Sequence, residues 1–497
     1  MEGLHLLEIV ILLLAVVLAL ATIARKLVVP YPILLVIGGL TLALVPGLPT
    51  IRLDPDLVFL VFLPPILWSA AYFTSLREFR KNLRPISLLA VGLVAATTAS
   101  VAVVTHAVLP GIGWAEAIAL GAIVSPPDAV SSTAIGRRLR VPRRVITIIE
   151  GESLVNDATA LVLYRAAVTA AVSGTFALSD TLLQFVLAAT IGVLVGLAVG
   201  AVIRWVLSFT SDSLTEIAVT LLAPYVAWVV AEHAHSSAVL ACVTGGLYIR
   251  QHFSEAVAPL TRIQARAVWD LLVFVLNGVI FILIGLQLGA LRESVPSGRF
   301  ESLLIAGALV SAVGWTGMRG IVTLAAALAL PVTTAAGAPF PFRAEIILLS
   351  FSVILATLVL QGLSLTPLIR ALRLGEDRGL EQEEMKAREH ATTAALSRLD
   401  ELAGEQWPMK EHLERLRIHY GRRVQRYARS GTVDEECTLE AAEAFQRLRH
   451  ETLTTERMAL INLRNDGTIS DELLHRLEHE LDVEALRLGI GERRANV

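Results

Sequence analysis

Cysteine, aromatic residues and net charge are all scarce in this chain. Cys242 and Cys437 are the only two cysteines among 497 residues, one in an apolar run and one in a charged tail, so no disulfide framework organises the fold. Aromatic residues make up 6%, and no basic stripe is interleaved with them, which excludes nucleic acid as an expected partner. The net charge of −3 gives no strong field of either sign. The glycine pairs form no phosphate-binding loop, so neither ATP nor any other cofactor is expected.

Apolar residues are what the chain has in excess. They make up 55% of it, and the mean hydropathy of +0.65 is far too high for a soluble protein of this size. Stretches of about 20 apolar residues, enough to cross a ~30 Å hydrocarbon layer, recur from Leu4 to Leu372. They predict about 12 spans, near 4–23, 30–46, 56–73, 85–109, 115–135, 146–172, 181–207, 214–232, 236–250, 268–291, 302–330 and 344–372. The expected fold is therefore an all-α polytopic membrane protein embedded in a lipid bilayer. Leu4 to Ile23 is flanked by Glu2 and Glu8 before it and Arg25 and Lys26 after it, the reverse of a secretory signal, and is expected to remain.

Beyond Gly375 the composition turns to Glu, Arg and Leu. Apolar residues recur there at spacings of three and four, as in Ser470–Leu481, which predicts packed helices. The expected division is a membrane domain over 1–374 and a soluble helical tail over 375–497. Basic clusters at Arg77, Arg80, Lys81 and Arg84, and at Arg137, Arg138, Arg140, Arg143 and Arg144, place two loops in the cytoplasm. Counting spans onward from them puts the tail outside, against its own basic flank at Arg370 and Arg373. The conflict points to Phe300–Pro331, too short for two comfortable helices, with Gly314–Gly320 in its middle.

Charge inside these spans costs roughly 2.5 to 3.5 kcal/mol per residue on the most lenient scale, so it marks function. Glu150-Gly-Glu-Ser-Leu-Val-Asn-Asp157 sets three carboxylates in one helix. Residues four apart share a face, which stacks Ser153 on Asp157 and sets Glu152 and Asn156 in the adjacent row. A hydroxyl and a carboxylate together are hard oxygens suited to an alkali cation. A proton and a metal ion compete for the same carboxylate, and that competition is an exchange mechanism.

Ser125-Pro-Pro-Asp128 interrupts another span. Adjacent Pro126 and Pro127 remove two backbone donors, so the helix should break, with Ser125 as N-cap of the second half and Asp128 facing the positive end of that half's dipole. Such backbone survives at membrane depth only where protein buries it or it lines a cavity. Arg319, between glycines in an apolar run, needs a carboxylate partner, and Glu152 or Asp128 would serve. Pro64-Pro65, followed by Trp68 and Ser69, predicts a further irregular helix near the cavity, while His106, His233 and His235 read as interfacial residues at span ends.

Phe62-Leu-Pro-Pro-Ile-Leu, Ser125-Pro-Pro-Asp-Ala-Val130, Glu150–Asp157, Phe281–Leu288, Gly317-Met-Arg-Gly320 and Gln361-Gly-Leu-Ser-Leu together resemble the bacterial sodium/proton exchangers of the first cation:proton antiporter family. The resemblance covers about 1–372. It implies an inverted-repeat antiporter fold with two crossed broken helices in a mobile core domain, and a scaffold domain that forms a homodimer. It makes Asp157 the carrier carboxylate for Na+ or H+, puts Ser153, Asp128 and the backbone of Pro127 at or beside the ion ligands, and pairs Glu152 with Arg319. Asn156 in place of a second aspartate is the family's mark of electroneutral exchange. Ser69 stands where relatives often carry an acid, and the 300–320 region is short by one span.

The expected function is electroneutral exchange of Na+, or Li+ or K+, for H+ across the cytoplasmic membrane, by a carrier and not an enzyme, with the tail in the cytoplasm. Potassium/proton exchange is one alternative. A transport-impaired, ion-binding sensor is another, because of the missing span. An intramembrane hydrolase is a weak third, since Ser153 has no histidine near it in sequence.

Overall fold

The computed structural model describes residues 2–27, 30–45, 53–128, 141–174, 178–210, 212–257, 259–294, 317–335, 337–372, 379–405, 409–429 and 435–466, with isolated positions within 132–136, 303–310 and 468–484. The chain divides into two compact units, Met1–Asp377 and Arg378–Val497. Both are helical among the described residues, apart from one isolated bridge between Thr333 and Pro339.

The first unit opens with α1 (Glu2–Leu27) and α2 (Tyr31–Ala43). Next come α3 (Pro55–Phe73) and α4 (Leu83–Val108), each containing a π-helical turn, over Val58–Phe62 and Leu88–Leu93. In α3 that wide turn lies immediately before Pro64 and Pro65, where the ring of a proline would collide with the carbonyl four residues back in a regular helix. The irregular helix predicted from Pro64-Pro65 is there.

After α5 (Trp114–Val124) the chain leaves helical geometry at Ser125–Asp128. It then forms α6 (Arg143–Ser173), α7 (Leu178–Leu207), α8 (Ser213–His233), α9 (Ala238–Ala256) and α10 (Pro259–Ser294). Residues 317–320 are again non-helical. They lead into α11 (Ile321–Leu328), and the unit closes with α12, which runs from Arg343 to Ala356, through a π turn over Thr357–Gln361, and on to Ala371. The short-span reading of 300–320 falls largely on 295–302 and 311–316, outside the described residues.

Seven of the described helices are long and apolar enough to cross a membrane by length and composition. The Asp157 helix α6 is not one of them, because its carboxylates, Asn156 and Arg165 lower its hydropathy. Burial supplies what apolarity does not: Gly151, Glu152, Leu154 and Asn156 to Ala160 are all buried.

Packing sorts these helices into two sets. In one, α7, α8 and α9 pack together, α9 and α8 lie on α3, and α10 runs along α2 and touches α1. At the α2–α10 crossing Gly39 and Gly285 face each other, and a side chain on either would strike the other helix's backbone. In the other set α5 is central, flanked by α4, α6, α11 and α12. The two sets meet along a seam, and the candidate site lies on it.

The second unit contains α13 (Gly379–Leu402), α14 (Lys410–Arg429) and α15 (Glu435–Asn465). α13 packs against α14, joined by an Arg417–Asp400 ion pair of 2.6 Å.

Candidate functional site

α5 ends at Ser125, whose hydroxyl donates to the Ala122 carbonyl at 3.0 Å. Ser125 is in the right-handed helical region, so it closes the first half-helix, where the sequence reading made it the N-cap of the second. The reason is local: an Oγ within reach of a carbonyl three residues back satisfies an orphan acceptor at a helix C-terminus. Pro126 and Pro127 then carry the chain without donors.

The next available donor, the Asp128 N–H, reaches outside its own helix to the Met318 carbonyl at 2.6 Å. The two non-helical segments thus touch each other. Gly317 and Gly320 make this possible, since a Cβ at Gly317 would strike the Pro127 ring, and one at Gly320 would lie 2.7 Å from an Asp128 carboxylate oxygen. This places the Asp128 carboxylate beside the first residues of α11. Gly320 is the N-cap position of α11, so Asp128 faces the positive end of that helix.

The second segment is anchored from α12. The Arg319 N–H donates to Thr357 Oγ1 at 3.1 Å, just where α12 widens into its π turn. At the other end of α11, the Arg343 guanidinium donates to the Leu328 and Leu330 carbonyls at 2.9 Å each, capping the helix C-terminus. The Arg319 side chain is fully buried, and its charge interacts with that of Glu152 on α6.

α6 runs unbroken through the polar motif and ends at Gly174, left-handed with φ 72°. Its rows separate as the helical period requires. The Asn156 amide donates to the Pro127 carbonyl at 3.1 Å, tying α6 to the first break. Ser153 and Asp157 open on a cavity of about 390 Å³, which Pro126, Pro127 and Asp128 also line. The structure therefore brings Asp157, Ser153, Asp128 and Pro127 to one space, with Asn156, Glu152 and Arg319 buried around it.

Glu150 and Ser69 line the same cavity. The three histidines do not. His106 bonds the Ile112 carbonyl and stacks on Trp114, His233 bonds Val229 within its own helix, and His235 sits in the turn after it.

Sequence reasoning missed the opposite wall. Tyr31 on α2 and Asn277 on α10 line the cavity side by side with Asp128. Thr323, Arg266 and Asp270 also line it. Asn277 could have been found, since it and Gln287 are the two amides in the apolar run from Leu271 to Leu288. Tyr31 carried no such signal.

Residues 11–313 match the family of sodium/hydrogen exchangers, transmembrane. The chain belongs to this family. A protein of Mycobacterium bovis named as an uncharacterized Na(+)/H(+) exchanger is 32% identical over 92% of this chain and 91% of its own length. A sodium, potassium, lithium and rubidium/H(+) antiporter of Bacillus pumilus is 32% identical over 69% of this chain and 58% of its own. The solved sodium proton antiporter NhaP1 of Methanocaldococcus jannaschii superposes with a TM-score of 0.58, covering 75% of this chain and 99% of that one, at 18% identity. At that identity the likeness is one of fold. The exchanger is a multi-pass membrane protein, and its two touching breaks belong to an antiporter fold.

Proposed function

We propose that this exchanger moves Na+ against H+ one for one across the cytoplasmic membrane, with Asp157 as the carrier group. In one state the Asp157 carboxyl holds a proton. In the other it has released that proton, and the carboxylate, with the Ser153 hydroxyl, the Asp128 carboxylate and the Pro127 carbonyl, takes the cation. One positive charge replaces another, so the loaded site has the same net charge in both states and the cycle is electroneutral. The observation that carries this reading is that Asp157 and Ser153 open on the same cavity as Asp128.

The surrounding contacts fit a carrier. The Glu152–Arg319 pair offsets its own charges, leaving Asp157 and Asp128 to the cation. The cavity lies where the two helix sets meet, so displacement of one set along the other would carry the ion site from one membrane face to the other. None of the described residues lining the cavity is a histidine, which leaves Ser153 without a general base there and disfavours a hydrolase.

A wider cation range is the second reading, because oxygen ligands alone do not fix ion radius and the Bacillus pumilus relative is named for four cations. In everted vesicles holding an acid interior, Na+ should dissipate the proton gradient, and Asp157→Asn should abolish the response. The same run with K+, Li+ and Rb+ orders the cations. A response that survives Asp157→Asn overturns the carrier assignment, and silence of the parent chain favours the transport-impaired sensor. The homodimer and the cytoplasmic tail belong to this reading too. An impermeant thiol reagent should reach Cys437 in everted vesicles only, and crosslinking in the membrane should give a two-chain species.

A further inference from the structure

Four acids line the cavity, Asp128, Glu150, Asp157 and Asp270, and among the described lining residues Arg266 is the one base. It stands at the mouth, with its side chain 74% exposed and that of Asp270 63% exposed. Its Nε lies 3.9 Å from Asp270 Oδ2, one turn on along α10, and its guanidinium carbon lies 5.9 Å from the centroid of the Phe73 ring on α3. Glu150 of α6 lines the cavity from the other helix set. Phe73 and Thr74 directly precede the basic loop at Arg77–Arg84, and Glu150 lies two turns beyond Arg143 and Arg144, so by the distribution of basic residues this mouth faces the cytoplasm.

A cation leaving or reaching Asp157 by this mouth passes a positive charge. We propose that the Arg266–Asp270 pair is an affinity-setting gatepost of the exchanger. Asp270 cancels the Arg266 charge so that a cation can pass, and the pair sets the apparent affinity for the cytoplasmic cation without supplying a ligand. This rests on the exchange reading above. An exposed pair one turn apart adds little to helix stability, so a merely structural role predicts small effects on folding and none on affinity. A through-space charge acts otherwise. By Coulomb's law, a unit charge placed about 8 Å from a cation, at an effective dielectric midway between protein and water, changes its occupancy about fivefold, and added salt screens the effect.

The experiment is Na+-driven proton exchange in everted vesicles at alkaline pH and low ionic strength, where proton competition is least. Parent, Arg266→Gln, Asp270→Asn, the charge swap Arg266→Asp with Asp270→Arg, and Asp157→Asn are compared. Arg266→Gln should lower the KM for Na+ about fivefold, and Asp270→Asn should raise it by a similar factor. In both, the maximal rate should move less than KM, and the swap should bring KM back toward the parent. Choline chloride should shrink all these differences.

Single variants whose KM matches the parent, or shifts in the same direction, overturn the gatepost, as do shifts that high salt leaves intact. A parent chain that moves no Na+ removes the exchange reading and this one together. A parent that does so, with KM unmoved in both variants, removes only this one.

Discussion

The break at Ser125–Asp128 is made with proline and the break at Gly317–Gly320 with glycine, and the two residue types work in different ways. Pro126 and Pro127 withhold two donors from their own helix, and no π turn precedes them to absorb the pair as one does before Pro64 and Pro65 in α3. Gly317 and Gly320 interrupt nothing by themselves. They leave room, so that Pro127 and Asp128 can press against the second segment and the Asp128 N–H can reach the Met318 carbonyl. One segment brings its own irregularity to the crossing, and the other is shaped by what it meets. The second therefore needs outside support, which Thr357 and Glu152 give through the backbone and the charge of Arg319.

The comparison is most exposed to loss of that support. Arg319→Ala should cost about 3–5 kcal/mol, the usual penalty for stranding one member of a buried ion pair. Thermal unfolding of the purified protein in detergent measures it. A variant as stable as the parent would mean that the glycine segment holds its shape without the pair. Gly317→Ala comes next, at about 2–3 kcal/mol for overpacking against the Pro127 ring. At a position with room for a methyl group, the same exchange would stabilise by about 0.4–1 kcal/mol, so the sign decides whether the crossing is as tight as the geometry makes it.

The same contrast accounts for what could be read from the sequence. The proline break, the polar rows of α6 and the burial of Arg319 follow from local rules of donors, periodicity and composition, and each was legible. The Ser125 cap was misread because two rules competed at one residue. A serine before proline serves either the helix behind it or the one ahead, and the choice lay in the 3.0 Å reach to Ala122. The wall formed by Tyr31 and Asn277 was missed because it depends on α2 and α10 crossing at Gly39 and Gly285, a contact between residues far apart in sequence. Thr357 escaped for the same reason. As a threonine in an apolar run it has no meaning until the Arg319 N–H is placed beside it.

Two smaller substitutions test the proline side. Asn156→Ala removes the amide that holds the Pro127 carbonyl at 3.1 Å and should cost about 1–2 kcal/mol, since Asn156 is fully buried. If the break were held entirely by its prolines, unfolding would not register the change.

Pro126→Ala should have the least effect, within about 1 kcal/mol, most of it from the freer unfolded chain. The alanine restores one N–H, but the Ala122 carbonyl four residues back already accepts from Ser125 Oγ, so little is gained by rebuilding the helix there. Pro127 keeps its fixed φ and its missing donor, and its carbonyl stays tied to Asn156 while Asp128 stays tied to Met318. The crossing, and with it exchange in vesicles, should survive. Loss of exchange in Pro126→Ala alongside a silent Gly317→Ala would reverse the assignment, making the proline segment the dependent one and the glycine segment the one that stands alone.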